Sequence, residues 1–121
     1  MNNQREMPFA ALLQKPRFAP VDVVEGFVSY RDAVIWTWEN RVNVGAGEKM
    51  DQSMCAALLG MHTPHMSRCV NRNTEAPMNL SPDFLPEFEA FCGWYAVSQF
   101  IARKSQMTFM EQVISERRVA A

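Results

Sequence analysis

Apolar residues recur along most of this chain at three- and four-residue spacings, the period of an α-helix with one face turned inward. Val23, Val24, Phe27, Val28 and Tyr30 open the pattern, and Ala33, Val34, Ile35, Trp36 and Trp38 carry it on to about Arg41. Asp22 is placed to cap the first stretch, with Glu25 three residues on in a capping-box position. Gly26 and Ser29 either divide two helices or lie within one long one. Gln52 to Leu59 suits a helix with Cys55, Ala56 and Leu59 on one face, and Gly60 can take the left-handed turn that stops it. Thr63 then reads as the cap of a following helix, with Pro64 in its first position and Met66, Cys69 and Val70 on its buried side.

Ser81-Pro82 starts another helix, which carries Phe84, Leu85, Phe88 and Phe91 and is ended or bent by Gly93. Trp94 to Lys104 offers Tyr95, Val97, Phe100 and Ile101 for the next, and a last short helix is expected from about Thr108 to Arg117. No alternation of strand period is sustained. The pattern predicts an all-α fold of five or six short helices. Ahead of it, Pro8, Pro16 and Pro20 bound a short apolar run, so residues 1–20 read as an arm and 21–121 as one helical domain.

Composition narrows the function classes. With 48% hydrophobic and 21% charged residues in 121, the chain is neither disordered nor of low complexity. Its net charge of −1 excludes a global positive field, so any nucleic-acid surface must be local. No apolar run is long enough to span a bilayer. The opening residues Met1 to Pro8 lack a following signal-type apolar region, so a cytoplasmic setting without membrane contact is expected. Three cysteines, Cys55, Cys69 and Cys92, are odd in number and sparse, which suits buried thiols in a reducing compartment. Trp36, Trp38, Trp94, Tyr95 and Phe100 are expected in the core, some at a dimer contact.

The local surface lies in residues 52–71. Two short helices joined by a few residues, with the small Ala56 letting the backbones approach, form a helix-turn-helix unit and are expected to cross steeply. His65, Ser67, Arg68, Asn71 and Arg72 project from the second helix or its end, and no acid occurs between Gln52 and Thr74. Arginine suits guanine and asparagine suits adenine, so Ser67, Arg68 and Asn71 fit base edges in a major groove. Gln52 and the helix start from Thr63 to His65 fit phosphate contacts.

The run Gln52…Ala56-Ala57-Leu58-Leu59-Gly60, followed by Met66-Ser67-Arg68, resembles the helix-turn-helix of the lambda Cro and repressor-like family. Ala56 stands at that family's small alanine, Gly60 at its turn glycine, and Met61, Met66 and Cys69 at buried positions. The resemblance implies a homodimeric transcriptional regulator of phage or prophage type that binds a double-stranded operator. RNA polymerase would be a further partner, either blocked or contacted. The base-facing side would fall on Thr63, Pro64, Ser67, Arg68 and Asn71, while Gln52 would touch a phosphate and brace the recognition helix. Pro64 and His65 depart from commoner starts of that helix, which leaves the operator sequence unreadable.

Competing chemistry is poorly supplied. Gly45-x-Gly47 is followed by Glu48-Lys49 and lacks the ending of a phosphate-binding loop. Cys55, His62, His65 and Cys69 are zinc-ligand types, but the two cysteines belong to buried faces and His65 to an outward one. Cys92 has no histidine near it in sequence to activate it. Neither enzyme activity nor a cofactor is expected. The alternative to DNA binding is a helical protein-interaction or adaptor module. It gains if Ser67, Arg68 and Asn71 pack against neighbouring helices.

Overall fold

Ser29 decides where the first long helix begins. Its hydroxyl accepts the Asp32 N–H at 3.1 Å, and the Asp32 carboxylate accepts the Val28 N–H in return at 3.1 Å, a reciprocal cap. In the computed structural model, which describes residues 15–44, 48–49 and 51–120, this separates α1 (Val21–Glu25) from α2 (Tyr30–Glu39). Asp22 is not a cap. Pro20 holds the N-cap position of α1, and Asp22 lies in its first turn, where a carboxylate still favours the helix dipole. A short antiparallel pairing of β1 (Asn43–Val44) with β2 (Glu48–Lys49) follows, too brief for any sequence period to announce.

The next pair is α3 (Gln52–Leu59), capped by Asp51, and α4 (Thr63–Val70). Gly60 sits between them at φ +75°, the left-handed conformation that side chains avoid. A 3-10 turn (Pro82–Phe84) begins at Ser81, whose hydroxyl accepts the Asp83 N–H. It leads into α5 (Leu85–Cys92), which Gly93 ends at φ +88°. The last element, α6 (Ala96–Ala120), is one helix of 25 residues and not two shorter ones. Ser105 to Thr108 carries no proline or glycine, so nothing in that stretch breaks the hydrogen-bond ladder. The fold is all-α, and none of its described helices is long and apolar enough to cross a membrane.

Helix α2 is the centre of the packing. It touches α4, α5 and α6, and its Ala33, Val34, Ile35, Thr37 and Trp38 are buried. The buried Thr37 hydroxyl is satisfied by donating to the Ala33 carbonyl at 2.9 Å. Phe88, Phe91, Met66, Leu80, Val70 and Val97 complete the interior. At its edge Trp36 meets Trp94 edge-on with ring centroids 5.2 Å apart, and Phe27 meets Trp36 and Phe100 in the same way. Trp38 and Phe100 are buried, whereas Trp36, Trp94 and Tyr95 are only half-buried. The end of the predicted arm lies against this body: Ala19 is buried and exchanges two hydrogen bonds with the Gln99 side chain. Residues 1–14 lie outside the described residues.

One carboxylate belongs to the interior. Glu89 on α5 is almost fully buried, and it accepts hydrogen bonds from the Ser98 N–H at 3.0 Å and from the Ser98 hydroxyl. It thereby caps the first turn of α6 from a neighbouring helix. Burial pushes its pKa up, and the Ser98 bonds offset part of that rise. A carboxyl with a raised folded-state pKa favours folding while protonated, and that contribution is lost as pH rises through the folded value. Stability of the wild-type chain should therefore decline from about pH 4.5 upward through this group's titration. Glu89→Gln, which keeps an acceptor for Ser98, should flatten that decline in urea melts taken across pH 4 to 8. An unchanged slope would show that Glu89 does not titrate in this range.

Candidate nucleic-acid interface

Helix α4 is amphipathic because its apolar residues fall at positions i, i+3 and i+4. Met66, Cys69 and Val70 are buried against the core. The opposite side leaves Thr63, Pro64, His65 and Arg68 exposed. Thr63 is the first helical residue and not the cap. His62 occupies the N-cap position without a side-chain bond: Pro64 brings no N–H, and the His65 N–H is donated to the His62 carbonyl at 2.9 Å. The His62 and His65 rings meet edge-on at 5.1 Å.

The remaining predicted site residues are tied into the protein. Gln52 Nε2 donates to Asn71 Oδ1 at 2.9 Å, and Asn71 Nδ2 donates to Ser67 Oγ at 2.8 Å. The bond between Gln52 and Asn71 joins the opening of α3 to the end of α4. The free ends of the pair therefore lie within side-chain reach of each other. Ala56, fully buried, supplies the close approach. Gln52, Ser67 and Asn71 are each half-buried, and this chain of bonds fixes the rotamer of every member.

Arg72 is exposed but engaged. Its guanidinium forks onto Glu39 of α2, with Nη2 2.8 Å and Nε 3.1 and 3.2 Å from the carboxylate oxygens, and it lies 3.6 Å from Asp32. The hydrogen bond to Glu39 raises its pKa further. The acid-free run in sequence thus does not remain acid-free in space, because α2 brings Asp32 and Glu39 to the end of α4. Asp51 adds another carboxylate at the start of α3, where it accepts the Met54 N–H at 2.7 Å. Arg68 is different. Its side chain has no hydrogen-bond or ion-pair partner among the described residues, so its charge is directed to solvent.

Sequence reasoning missed Arg31. From α2 it reaches across to donate Nη2 to the carbonyls of Arg68, at 3.2 Å, and Asn71, so a cation closes the C-terminal end of α4. Its Nε is buried without a partner. The residue lies 37 and 40 positions from its acceptors, and no spacing rule within the motif could reveal it.

The cysteines carry no reactive site. Cys55, Cys69 and Cys92 are free and buried, and burial raises all three thiol pKa values, Cys55 to about 12. Thiolate chemistry is suppressed at each. Among the described residues no group of three or more histidine, cysteine, aspartate or glutamate side chains is placed to hold a metal ion. No protein-family model, curated protein or solved structure matches the chain.

Proposed function

We propose that this protein is a sequence-specific, double-stranded DNA-binding regulator of the phage or prophage type, with α4 entering the major groove and a second copy occupying the other half of a palindromic operator. The observation that carries the reading is the division of labour on α4. One side is locked in the core, while Thr63, Pro64, His65 and the unpaired Arg68 form a continuous exposed edge. A short helix held rigidly with such an edge outward suits base readout, since a guanidinium pairs with the O6 and N7 of guanine. In this reading Gln52, Ser67 and Asn71 brace the recognition helix, and Arg72 fixes its end to α2. Direct contact falls to Thr63, Pro64, His65 and Arg68, with the helix start nearest the phosphates.

Arg68→Ala should weaken binding to the operator by about 1–3 kcal/mol and leave binding to random duplex nearly unchanged. The measurement is a gel-shift titration against DNA flanking the protein's own gene, repeated over a salt series. Equal loss on both DNAs would assign Arg68 to the backbone, and no retardation even at low salt would end the DNA reading. A helical protein-interaction module is the second reading. The observation favouring it is that Ser67, Asn71 and Arg72 are already satisfied within the fold, Arg72 by the Asp32 and Glu39 carboxylates of α2.

A further inference from the structure

Helix α6 outruns the domain that starts it. Ala96, Val97 and Phe100 are buried, but from Ile101 onward every described side chain is exposed except Val113, which is half-buried. At 1.5 Å per residue its 25 residues extend about 37 Å, so more than half of that length leaves the core behind. A stretch of this size is marginal as an isolated helix in water and needs an apolar partner to persist. It offers one. Met110, 59% exposed, and Ile114, 47% exposed, lie one turn apart beside Val113, and with Arg103, Gln106 and Glu111 they line a shallow groove along one flank.

We propose that this flank is an interface for a second copy of the chain, α6 against α6 in antiparallel orientation. The inference stands on α6 alone and does not rest on the DNA reading. The charge pattern selects the occupant and its direction. Positions 103, 110, 114 and 117 share one stripe at heptad spacing, so a parallel pair would set Arg103 against Arg103 and Arg117 against Arg117. An antiparallel pair with its two-fold axis midway along 103–114 removes both clashes. Arg103, held by its own Glu25 at 2.7 Å, then lies over Ile114 of the partner subunit. Lys104 comes beside Glu111 of the partner subunit, and the symmetry makes that pair twice.

The test is sedimentation equilibrium of the full chain over a wide concentration range, with far-ultraviolet circular dichroism confirming that each variant keeps its helices. The 13.8 kDa chain should sediment as a dimer, and Met110→Glu with Ile114→Glu should make it a monomer, since both side chains are exposed in the single chain. Lys104→Glu and Glu111→Lys should each raise the dissociation midpoint about tenfold, and the two together should restore it. A wild-type monomer at every concentration overturns the proposal. So does a dimer indifferent to Met110 and Ile114, and so does failure of the paired charge reversal to rescue. A dimer lost when residues 1–14 are removed, with the α6 variants silent, would give the interface to the arm and overturn it too.

Discussion

Phe88→Ala should cost about 3–5 kcal/mol, the range for deleting a fully buried aromatic ring. Phe88 has no exposed surface and stacks on Trp38 with ring centroids 6.4 Å apart and planes 21° from parallel. The Arg41 guanidinium lies 4.0 Å from the centroid of the same indole and donates Nη1 to the Trp38 backbone carbonyl at 2.9 Å. Removing the phenyl ring therefore opens a cavity and unseats the aromatic surface that joins α2 to α5. A chain of 121 residues has a total stability of roughly 6–18 kcal/mol, so the loss is a large share of it. A thermal melt should shift down by about 10–20 °C. Phe84→Ala, at a half-buried position of the 3-10 turn, should shift it much less. If both variants melt alike, the core is not centred where α2 and α5 meet.

The parts of this fold legible in sequence are those governed by local rules. Gly60 and Gly93 end their helices because only glycine accepts the left-handed backbone there without strain, and Ser81-Pro82 opens a helical turn by a cap and a missing donor. The buried apolar residues of α3, α4 and α5 follow from residue spacing, whereas the buried Glu89 of α5 does not. Two helix starts were displaced for a local reason as well. Pro20 takes the N-cap position of α1, so Asp22 lies inside its first turn, and His62 takes that of α4, so Thr63 lies inside the helix with Pro64 second. The continuity of α6 shows the opposite limit. Weakly apolar residues between 102 and 108 invite a break in a reading by periodicity, but no residue there supplies one.

The candidate site was half legible for a related reason. Exposure of Thr63, Pro64, His65 and Arg68 follows from the helical period of α4. The engagement of Ser67, Asn71 and Arg72 does not, because their partners arrive from α2 and α3 through tertiary packing. Glu39 is 33 residues from Arg72, and Gln52 is 19 from Asn71. A local count of charge therefore overstated how basic the surface is. The same count gave no weight to Arg31, which lies outside the motif.

Arg31→Ala should destabilise the protein by about 2 kcal/mol. It removes charge-assisted hydrogen bonds, worth about 1.5–3 kcal/mol when fully buried, from a side chain that is only half-buried. The Arg68 carbonyl keeps the Met78 N–H at 3.3 Å, which limits the loss to the bonds of Arg31 itself. Arg31→Lys should recover less than half, since a single ammonium cannot reproduce the planar fork or fill the same volume. On the proposed DNA reading, both should also weaken operator binding beyond their effect on stability, because α4 loses the clamp that fixes its end. A pair of double-mutant cycles separates the clamp from the brace. Arg31 binds the backbone carbonyl of Asn71, so Arg31→Ala and Asn71→Ala should be nearly additive in urea denaturation. Gln52 binds the Asn71 side chain, so Gln52→Ala and Asn71→Ala should couple by at least about 0.5 kcal/mol. The reverse pattern would mean that Arg31 acts through the Asn71 side chain and that the bond from Gln52 contributes nothing to holding α4.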